Sequence, residues 1–542
     1  MTDAESQRPL LRVKDLRVTF DLPTGPLQAV REVSFDLRPG QILGVVGESG
    51  SGKSVTSRAI MRMLRRPGRI SAGSIELEGD DILRMSPVQI REVRGTRVAM
   101  IFQDPQAALN PVVRVKHQVM EALLVHGSPR AAAESRAIDL LRKVGIPDPV
   151  NAAEKYPHQF SGGMRQRVVI AIALANEPGV LIADEPTTAL DVTIQAQILS
   201  LLRSLRDELK IAILFITHDM GVVAELCDDV VVMYQGEIVE SGNVRDVLSR
   251  PQHPYTVRLM DAVPRMDAPL RNDAPVHDEP PVLEVRNLRT NVNSRRTSLF
   301  RRPTPFYAVD DVSLHVNAGE TLALVGESGC GKSTLSRTIV GISEAESGQI
   351  LIDGDRRAVT GPEHIDQVRA VQYVFQDPFS SLNPRRTAGQ SLEEALKCAG
   401  CPPRDLRRRS IELLERVSLG EEHLDRYPWA FSGGQRQRIG IARALASDPR
   451  MLILDEPVSA LDVSIQAQIL QLLRHLQEEY GMAYLFISHD LAVVREISHR
   501  VAVMFKGKIV EQGTTGSIFD HPEHPYTRTL LAATPDLDSA FA

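Results

Sequence analysis

Six short motifs occur twice in this chain, in the same order and in nearly the same register, and no other feature restricts its architecture so strongly. The first half reads GESGSGKS (47–54), FQDP (102–105), FSGGMRQR (160–167), VLIADEPTTALD (180–191), FITHD (215–219) and HPYTVRL (253–259). The second reads GESGCGKS (326–333), FQDP (375–378), FSGGQRQR (431–438), MLILDEPVSALD (451–462), FISHD (486–490) and HPYTRTL (524–530). The offset is 279 between Lys53 and Lys332, 273 between Gln103 and Gln376, and 271 between Ser161 and Ser432; it then holds at 271 for Asp184 and Asp455, His218 and His489, and His253 and His524. So constant a register means two copies of one fold, with length differences confined to the early part of each copy.

Between the copies, residues 266–281 (MDAPLRNDAPVHDEPP) carry four prolines and four acidic residues against one arginine. Prolines at that density break helix and strand, so the segment reads as an extended, solvated linker, with an ordered surface loop as the alternative. Either reading sets the domains at 9–265 and 282–538, in keeping with a 542-residue chain too long for one core. Within each copy the fold class is α/β. Apolar, β-rich runs such as QILGVVG (41–47), VLIAD (180–184) and AILFITHD (212–219) have the pattern of buried parallel strands, each followed by a helical pattern. The stretches 115–155 and 388–425, rich in Ala, Leu, Glu and Arg, read as a helical insertion.

Composition excludes several classes. No run approaches the roughly 18–20 apolar residues of a membrane helix, and the polar, acidic start MTDAESQRPLLRVKDL has no secretory h-region, so the chain is expected to stay in the cytosol. Four cysteines (Cys227, Cys330, Cys398, Cys401) are too few for a disulfide framework. Cys398 and Cys401 have C-x2-C spacing, but no nearby segment offers the two further ligands of a zinc or iron–sulfur site. A net charge of -6 gives no footprint for nucleic acid, which is not expected as a partner.

GESGSGKS fits G-x4-G-K-[ST], between a strand-like and a helix-like run, the context in which such a loop cradles nucleotide phosphates. Its glycines free backbone N–H groups to wrap the phosphates, the helix N-terminus adds its dipole, Lys53 reaches the β and γ phosphates, and Ser54 ligates Mg2+. The loop comprises Gly47, Glu48, Ser49, Gly50, Ser51, Gly52, Lys53, Ser54 and Val55, and again Gly326, Glu327, Ser328, Gly329, Cys330, Gly331, Lys332, Ser333 and Thr334. Asp184 and Glu185 close the strand VLIAD at the carboxyl edge, where ligands of open α/β sheets bind. Two adjacent carboxylates there divide the labour: Asp184 holds Mg2+ and Glu185 polarises the attacking water as general base. Asp455 and Glu456 match them. Ser-Gly-Gly opening the helical run MRQRVVIAIALA offers a hydroxyl, bare backbone and a helix dipole to a phosphate.

With SGG upstream of an apolar strand ending in Asp-Glu, the chain resembles the ABC ATPase family over essentially its whole length, once per half. The resemblance implies two tandem P-loop ABC ATPase domains, each a mainly parallel sheet core with an antiparallel β part and a helical subdomain, binding ATP and Mg2+. It implies that Gln103 and Gln376 sense Mg2+, the attacking water and the membrane partner, and that His218 and His489 contact the γ-phosphate. Asp191 and Asp462 match the family's D-loop aspartate. Ser161, Gly162, Gly163 and Met164, with Ser432, Gly433, Gly434 and Gln435, match its signature. In the family that signature serves ATP held by the opposite domain, so Lys53, Asp184 and Glu185 are expected to pair with Ser432–Gln435, and Lys332, Asp455 and Glu456 with Ser161–Met164. Phe20 sits where the family places its adenine-stacking ring; the second half has Val292 there, so either Phe306 or Tyr307 takes over or the second site holds adenine less firmly. Met164 replaces the usual glutamine.

FSGGMRQR and FSGGQRQR, FQDPQAALNP and FQDPFSSLNP, and HPYT near each domain end resemble the dipeptide and oligopeptide importers of that family. This resemblance implies an ATP-hydrolysing motor lying peripherally on the cytoplasmic face of the membrane, partnered by two integral-membrane permease subunits and an extracytoplasmic solute-binding protein. No cysteine follows Cys401, so the iron–sulfur cluster of many members is not expected. The competing class is a soluble tandem ATPase acting on ribosomes or DNA repair intermediates. Ribosome-bound members have a long basic linker and SGGE signatures, neither of which this chain carries.

Overall fold

The computed structural model describes residues 8–188, 190–271, 279–292, 306–358, 360–377, 381–459, 461–535 and 537. The middle of the linker (272–278), residues 378–380 of the second FQDPFSSLNP stretch, and residue 538 lie outside the described residues. Two compact units emerge, one of Met1–Leu190, Ile194–Val263 and Pro535–Ala542, the other of Asp191–Thr193 and Pro264–Thr534.

In the first unit a six-stranded sheet runs in the order Glu237–Asn243, Asp229–Tyr234, Ile42–Val46, Ala212–Ile216, Val180–Asp184, Val98–Ile101. All neighbours are parallel except Glu237–Asn243, which is antiparallel to Asp229–Tyr234. The three strands read from the sequence are buried at every position, the pattern of a parallel sheet covered on both faces. A separate antiparallel sheet pairs Leu11–Leu22 with Gly25–Leu37 on one side and Gly68–Leu77 on the other. The expected helical insertion is present as Val115–Leu124, Arg130–Lys143 and Pro149–Ala153.

The second unit repeats this with Val371–Val374, Met451–Asp455, Ala483–Ile487, Thr321–Val325, Arg500–Phe505 and Lys508–Thr514. Alternation along one strand explains its wholly apolar sequence. Leu452 and Leu454 pack with the helical insertion through Leu392, Leu413 and Leu414. Met451 and Ile453 point the other way, into the core shared with the antiparallel strands through Val285, Leu314 and Ile350.

Residues 266–271 depart from the solvated reading, and the ordered-loop alternative holds there. Met266 packs against the apolar cluster of Val325, Leu491 and Ile518. Ala268 O accepts from Arg495 Nε at 3.2 Å, and Arg271 Nη1 donates to Gln477 Oε1 at 2.6 Å and Ile497 O at 3.3 Å. Proline density masked what Met266 and Arg271 bring, an apolar anchor and a donor fork for polar atoms of the second unit.

Near this strap His499 Nδ1 accepts from Thr321 N at 2.9 Å, so the ring must be neutral at that nitrogen. Burial, with Arg271 adding, pushes His499 from its ordinary 6.5 down to about 4. Between those values the unfolded chain takes up a proton that the folded chain refuses, so stability falls as pH drops through that window, by up to about 3 kcal/mol. His499→Asn keeps an acceptor for Thr321 N and removes the titration. In calorimetry at pH 7 and pH 4.5, the wild type should lose more Tm than this variant; parallel losses would show that His499 does not carry the effect.

Candidate active site

The strand Ile42–Val46 delivers the chain into the phosphate loop at Gly47, whose φ of 144° favours glycine. A Cβ there would lie 2.2 Å from Met233 O, so the loop's approach to the neighbouring strand also requires glycine. Gly326 repeats both features, with φ 146° and Met504 O at 2.2 Å. The helices Lys53–Ile60 and Lys332–Ile339 begin at Gly52 and Gly331, neither of which supplies a side-chain cap. With no N-cap side chain over it, the positive dipole end of each helix faces the loop, a geometry suited to an anion. Lys53 is buried; its Nζ donates to Gly47 O at 2.6 Å and Glu48 O at 2.9 Å. Lys332 does the same with Gly326 O at 2.5 Å and Glu327 O at 3.0 Å. Ser51 Oγ and Cys330 Sγ are the side chains beside these ammonium groups. Ser49, Gly50, Ser328 and Gly329 form the outer turn, and Val55 and Thr334 the first helical turn.

Asp184, 2% exposed, ends its strand with Oδ1 accepting from Ser54 Oγ at 2.9 Å and Oδ2 from Ser57 Oγ at 3.4 Å. Burial raises its pKa, against the pull of the Ser54 hydrogen bond. At the next residue the backbone enters the left-handed region, φ 48° at Glu185 and 46° at Glu456. For a residue with a Cβ this costs about 1 kcal/mol or more. Glu185 N donates to Ile216 O at 2.9 Å and Glu456 N to Ile487 O at 3.0 Å, bonds that hold the turn. The carboxylate meets the two other predicted residues there. Gln103 Nε2 donates to Glu185 Oε2 at 2.8 Å, Thr188 Oγ1 donates to the same oxygen at 2.9 Å, and His218 Nδ1 is 3.6 Å from Oε1. In the second unit Gln376 Nε2 donates to Glu456 Oε2 at 2.7 Å, and His489 Nδ1 is 3.4 Å from that oxygen.

Burial pushes Glu185 and Glu456 up, but the paired histidine, with the loop lysine's charge adding, outweighs it and holds both carboxyls below their usual range. Burial pulls His218 and His489 down, and the glutamates outweigh it and raise them. Each unit thus holds an ionised carboxylate flanked by an amide and an imidazole at the mouth of a phosphate loop, geometry suited to orienting a water and taking its proton. The hydroxyl and carboxylate oxygens of Ser54 and Asp184, and of Ser333 and Asp455 (Ser333 Oγ to Asp455 Oδ1, 3.4 Å), are the hard donors that Mg2+ selects.

Ser161 caps the helix Gly162–Ala173, its Oγ accepting from Met164 N. Ser432 caps Gly433–Leu445 and gains a second bond, Ser432 N to Gln435 Oε1 at 3.1 Å, which completes a capping box that Met164 cannot form. The second signature glycine has a packing cause: a Cβ on Gly163 would sit 2.4 Å from Ile194, and one on Gly434 2.3 Å from Ile465. Asp191 is grouped with the second compact unit, and Asp462 precedes the helix Val463–Tyr480, where its carbonyl accepts from Gln466 N at 2.8 Å. Phe20, half-buried, pairs across strands with Leu27 and Gly68. At the matching place Val292 N donates to Phe306 O at 3.1 Å, and both side chains are exposed, Phe306 by 58%. Tyr307 is engaged elsewhere, donating to Glu346 at 3.0 Å.

Three tyrosines beside these sites escaped the sequence reading, as did the hydroxyls of Thr188, Ser57 and Ser336. Tyr373 OH donates to Asp455 Oδ2 at 2.5 Å and lies 3.1 Å from Ser336 Oγ; the first repeat has Met100 in that register, a difference visible on aligning the halves. Tyr255 OH and Tyr526 OH accept from Glu48 N and Glu327 N of the phosphate loops. Both belong to the HPYT motifs, whose recurrence was the available signal.

A family model described as ABC transporter matches residues 30–188 and again 309–459. One described as Oligopeptide/dipeptide transporter, C-terminal region, matches 239–289 and 510–541. The glutathione import ATP-binding proteins GsiA of Shigella dysenteriae, Shigella sonnei and Escherichia coli (strain K12) are each 48% identical to this chain over 557 aligned positions, covering 97% of it and 89% of their own length. Two matched cassettes, each with its own phosphate loop and an Asp-Glu pair whose aspartate is buried, place the chain in the ABC transporter family as a double ATP-binding protein.

Proposed function

We propose that this chain is the ATP-hydrolysing motor of an importer of glutathione or other short peptides, lying peripherally on the cytoplasmic face of the membrane. The observation that carries the reading is the Gln–Glu–His cluster, present in both units beside a phosphate loop. Its transport setting rests on likeness to the glutathione import proteins and to the peptide-transporter C-terminal region. Among the described residues no helix is long and apolar enough to cross a membrane, so the path for solute belongs to partners: two permease subunits, supplied by a solute-binding protein. Ribosome or DNA-repair action draws no support from these relatives.

In each cycle Lys53 and Lys332 exchange loop carbonyls for the β and γ phosphates, and the helix starts receive phosphate oxygens. Mg2+, when bound, neutralises charge developing on those oxygens; Ser54, Asp184 and Gln103, and Ser333, Asp455 and Gln376, would hold it. Glu185 and Glu456 take the proton of the attacking water, with His218 and His489 orienting the reacting group. Phe20 stacks on adenine in the first unit; in the second, the exposure of Phe306 across from Val292 supports that ring for the same task.

Glu185→Gln and Glu456→Gln should each lower the ATPase rate of the purified chain, and together by about 100-fold or more, while nucleotide binding persists. An unchanged rate in either single variant would show that its site does not turn over.

For the cargo, cells lacking the chain should lose uptake of labelled glutathione or short peptides, and the chain should co-purify with permeases in the membrane fraction. Recovery with ribosomes and no membrane association would instead favour the soluble reading.

A further inference from the structure

The HPYT elements lie far along the chain from the phosphate loops, yet each ends on one. His253 caps the helix Pro254–Asp261, its Nδ1 accepting from Tyr255 N at 3.2 Å. The turn before it is tied to the sheet, since the Glu240 carboxylate accepts from Gln252 N at 2.8 Å and His253 N at 3.0 Å. Tyr255 is thereby fixed, 5% exposed, with its ring stacked on Tyr234 at 4.2 Å and its hydroxyl oxygen accepting from Glu48 N at 3.1 Å. The second unit builds the same device from its own residues. Glu511 accepts from Glu523 N at 2.7 Å and His524 N at 3.1 Å, His524 Nδ1 accepts from Tyr526 N at 3.1 Å, Tyr526 packs on Phe505 at 4.2 Å, and its hydroxyl accepts from Glu327 N at 3.0 Å. A chance surface turn has no reason to reach the same loop N–H twice.

The N–H that the tyrosine takes and the carbonyl that the loop lysine takes belong to one peptide group. Gly47 C=O accepts from Lys53 and Glu48 N–H donates to Tyr255; Gly326 and Glu327 are held by Lys332 and Tyr526 in the same way. This is the first peptide of each loop, on the glycine whose left-handed φ aims it. When the lysine leaves its carbonyl for a phosphate, the tyrosine bond remains to keep that peptide from rotating. We infer that Tyr255 and Tyr526 are positioning residues for ATP, latching the phosphate loops through the HPYT elements so that nucleotide affinity depends on two hydroxyls outside the loops. The inference rests on the ATPase reading and goes beyond it by giving the peptide-transporter C-terminal region a task within the ATP site.

Tyr255→Phe and Tyr526→Phe remove only the hydroxyls and keep the ring packing. Steady-state ATPase of the full chain, with wild type in parallel, and binding of a fluorescent ATP analogue to the Glu185→Gln, Glu456→Gln background would test the latch. The double phenylalanine variant should raise KM and the analogue's Kd by about 3- to 10-fold, the loss of one hydrogen bond per loop, with kcat within about twofold. An unchanged KM and Kd would overturn the inference, as would a fall in kcat and Tm with KM unmoved, which marks a merely structural contact. A wild type that fails to hydrolyse ATP would refute the ATPase reading itself, a result separable from either outcome.

Discussion

Each site depends on a carboxylate pair delivered by a fully buried parallel strand. Val180–Asp184 is sealed on both faces, and its last residue emerges beside the hydroxyls of Ser54 and Ser57 at the start of the helix that follows the phosphate loop. The next residue must then turn out of the sheet, and it does so in a left-handed conformation that a glycine would adopt more easily. Glycine has no carboxylate, and the bond from Glu185 N to Ile216 O holds the turn against its strain. The core also fixes the companions. His218 lies just past the end of the adjacent strand Ala212–Ile216 and Gln103 just past Val98–Ile101, so sheet order converts three distant sequence positions into one cluster. Loosening the core would disperse that cluster before it altered any member's chemistry.

Much of this was legible in the sequence because each reading rested on a local pattern. Strand limits fell within a residue or two of the apolar runs, and the two helical insertions occupy the expected stretches. Within each unit the glutamate, glutamine and histidine named from motifs meet, and the loop serine meets the strand-end aspartate. What was not legible depends on partners remote along the chain. Nothing local shows that Tyr255 ends on Glu48, or that Arg271, in an acidic proline-rich run, finds Gln477. Composition read that segment as solvated because it counts prolines and charges, whereas two side chains suffice to dock six residues.

Comparing the repeats separates what the fold requires from what it tolerates. Gly163 and Gly434 are both crowded by an isoleucine of the following helix, so neither repeat can drift there. Met164 against Gln435 is tolerated because the serine cap survives without the reciprocal bond, at about 1 kcal/mol or less of helix-start stability.

Met100 against Tyr373 reaches further. In the first unit Asp184 takes its hydrogen bonds from Ser54 and Ser57; in the second, Tyr373 stands between Ser336 and Asp455 and donates to the carboxylate itself. One oxygen of Asp455 takes the phenol bond and the other a bond from Ser333, whereas both oxygens of Asp184 take serine hydroxyls. The same duplicated motif therefore presents two differently bonded carboxylates, one taking a phenol and a serine hydroxyl, the other two serine hydroxyls. The surroundings of the two aspartates thus differ through one residue on a neighbouring strand, while the Asp-Glu pair itself stays the same.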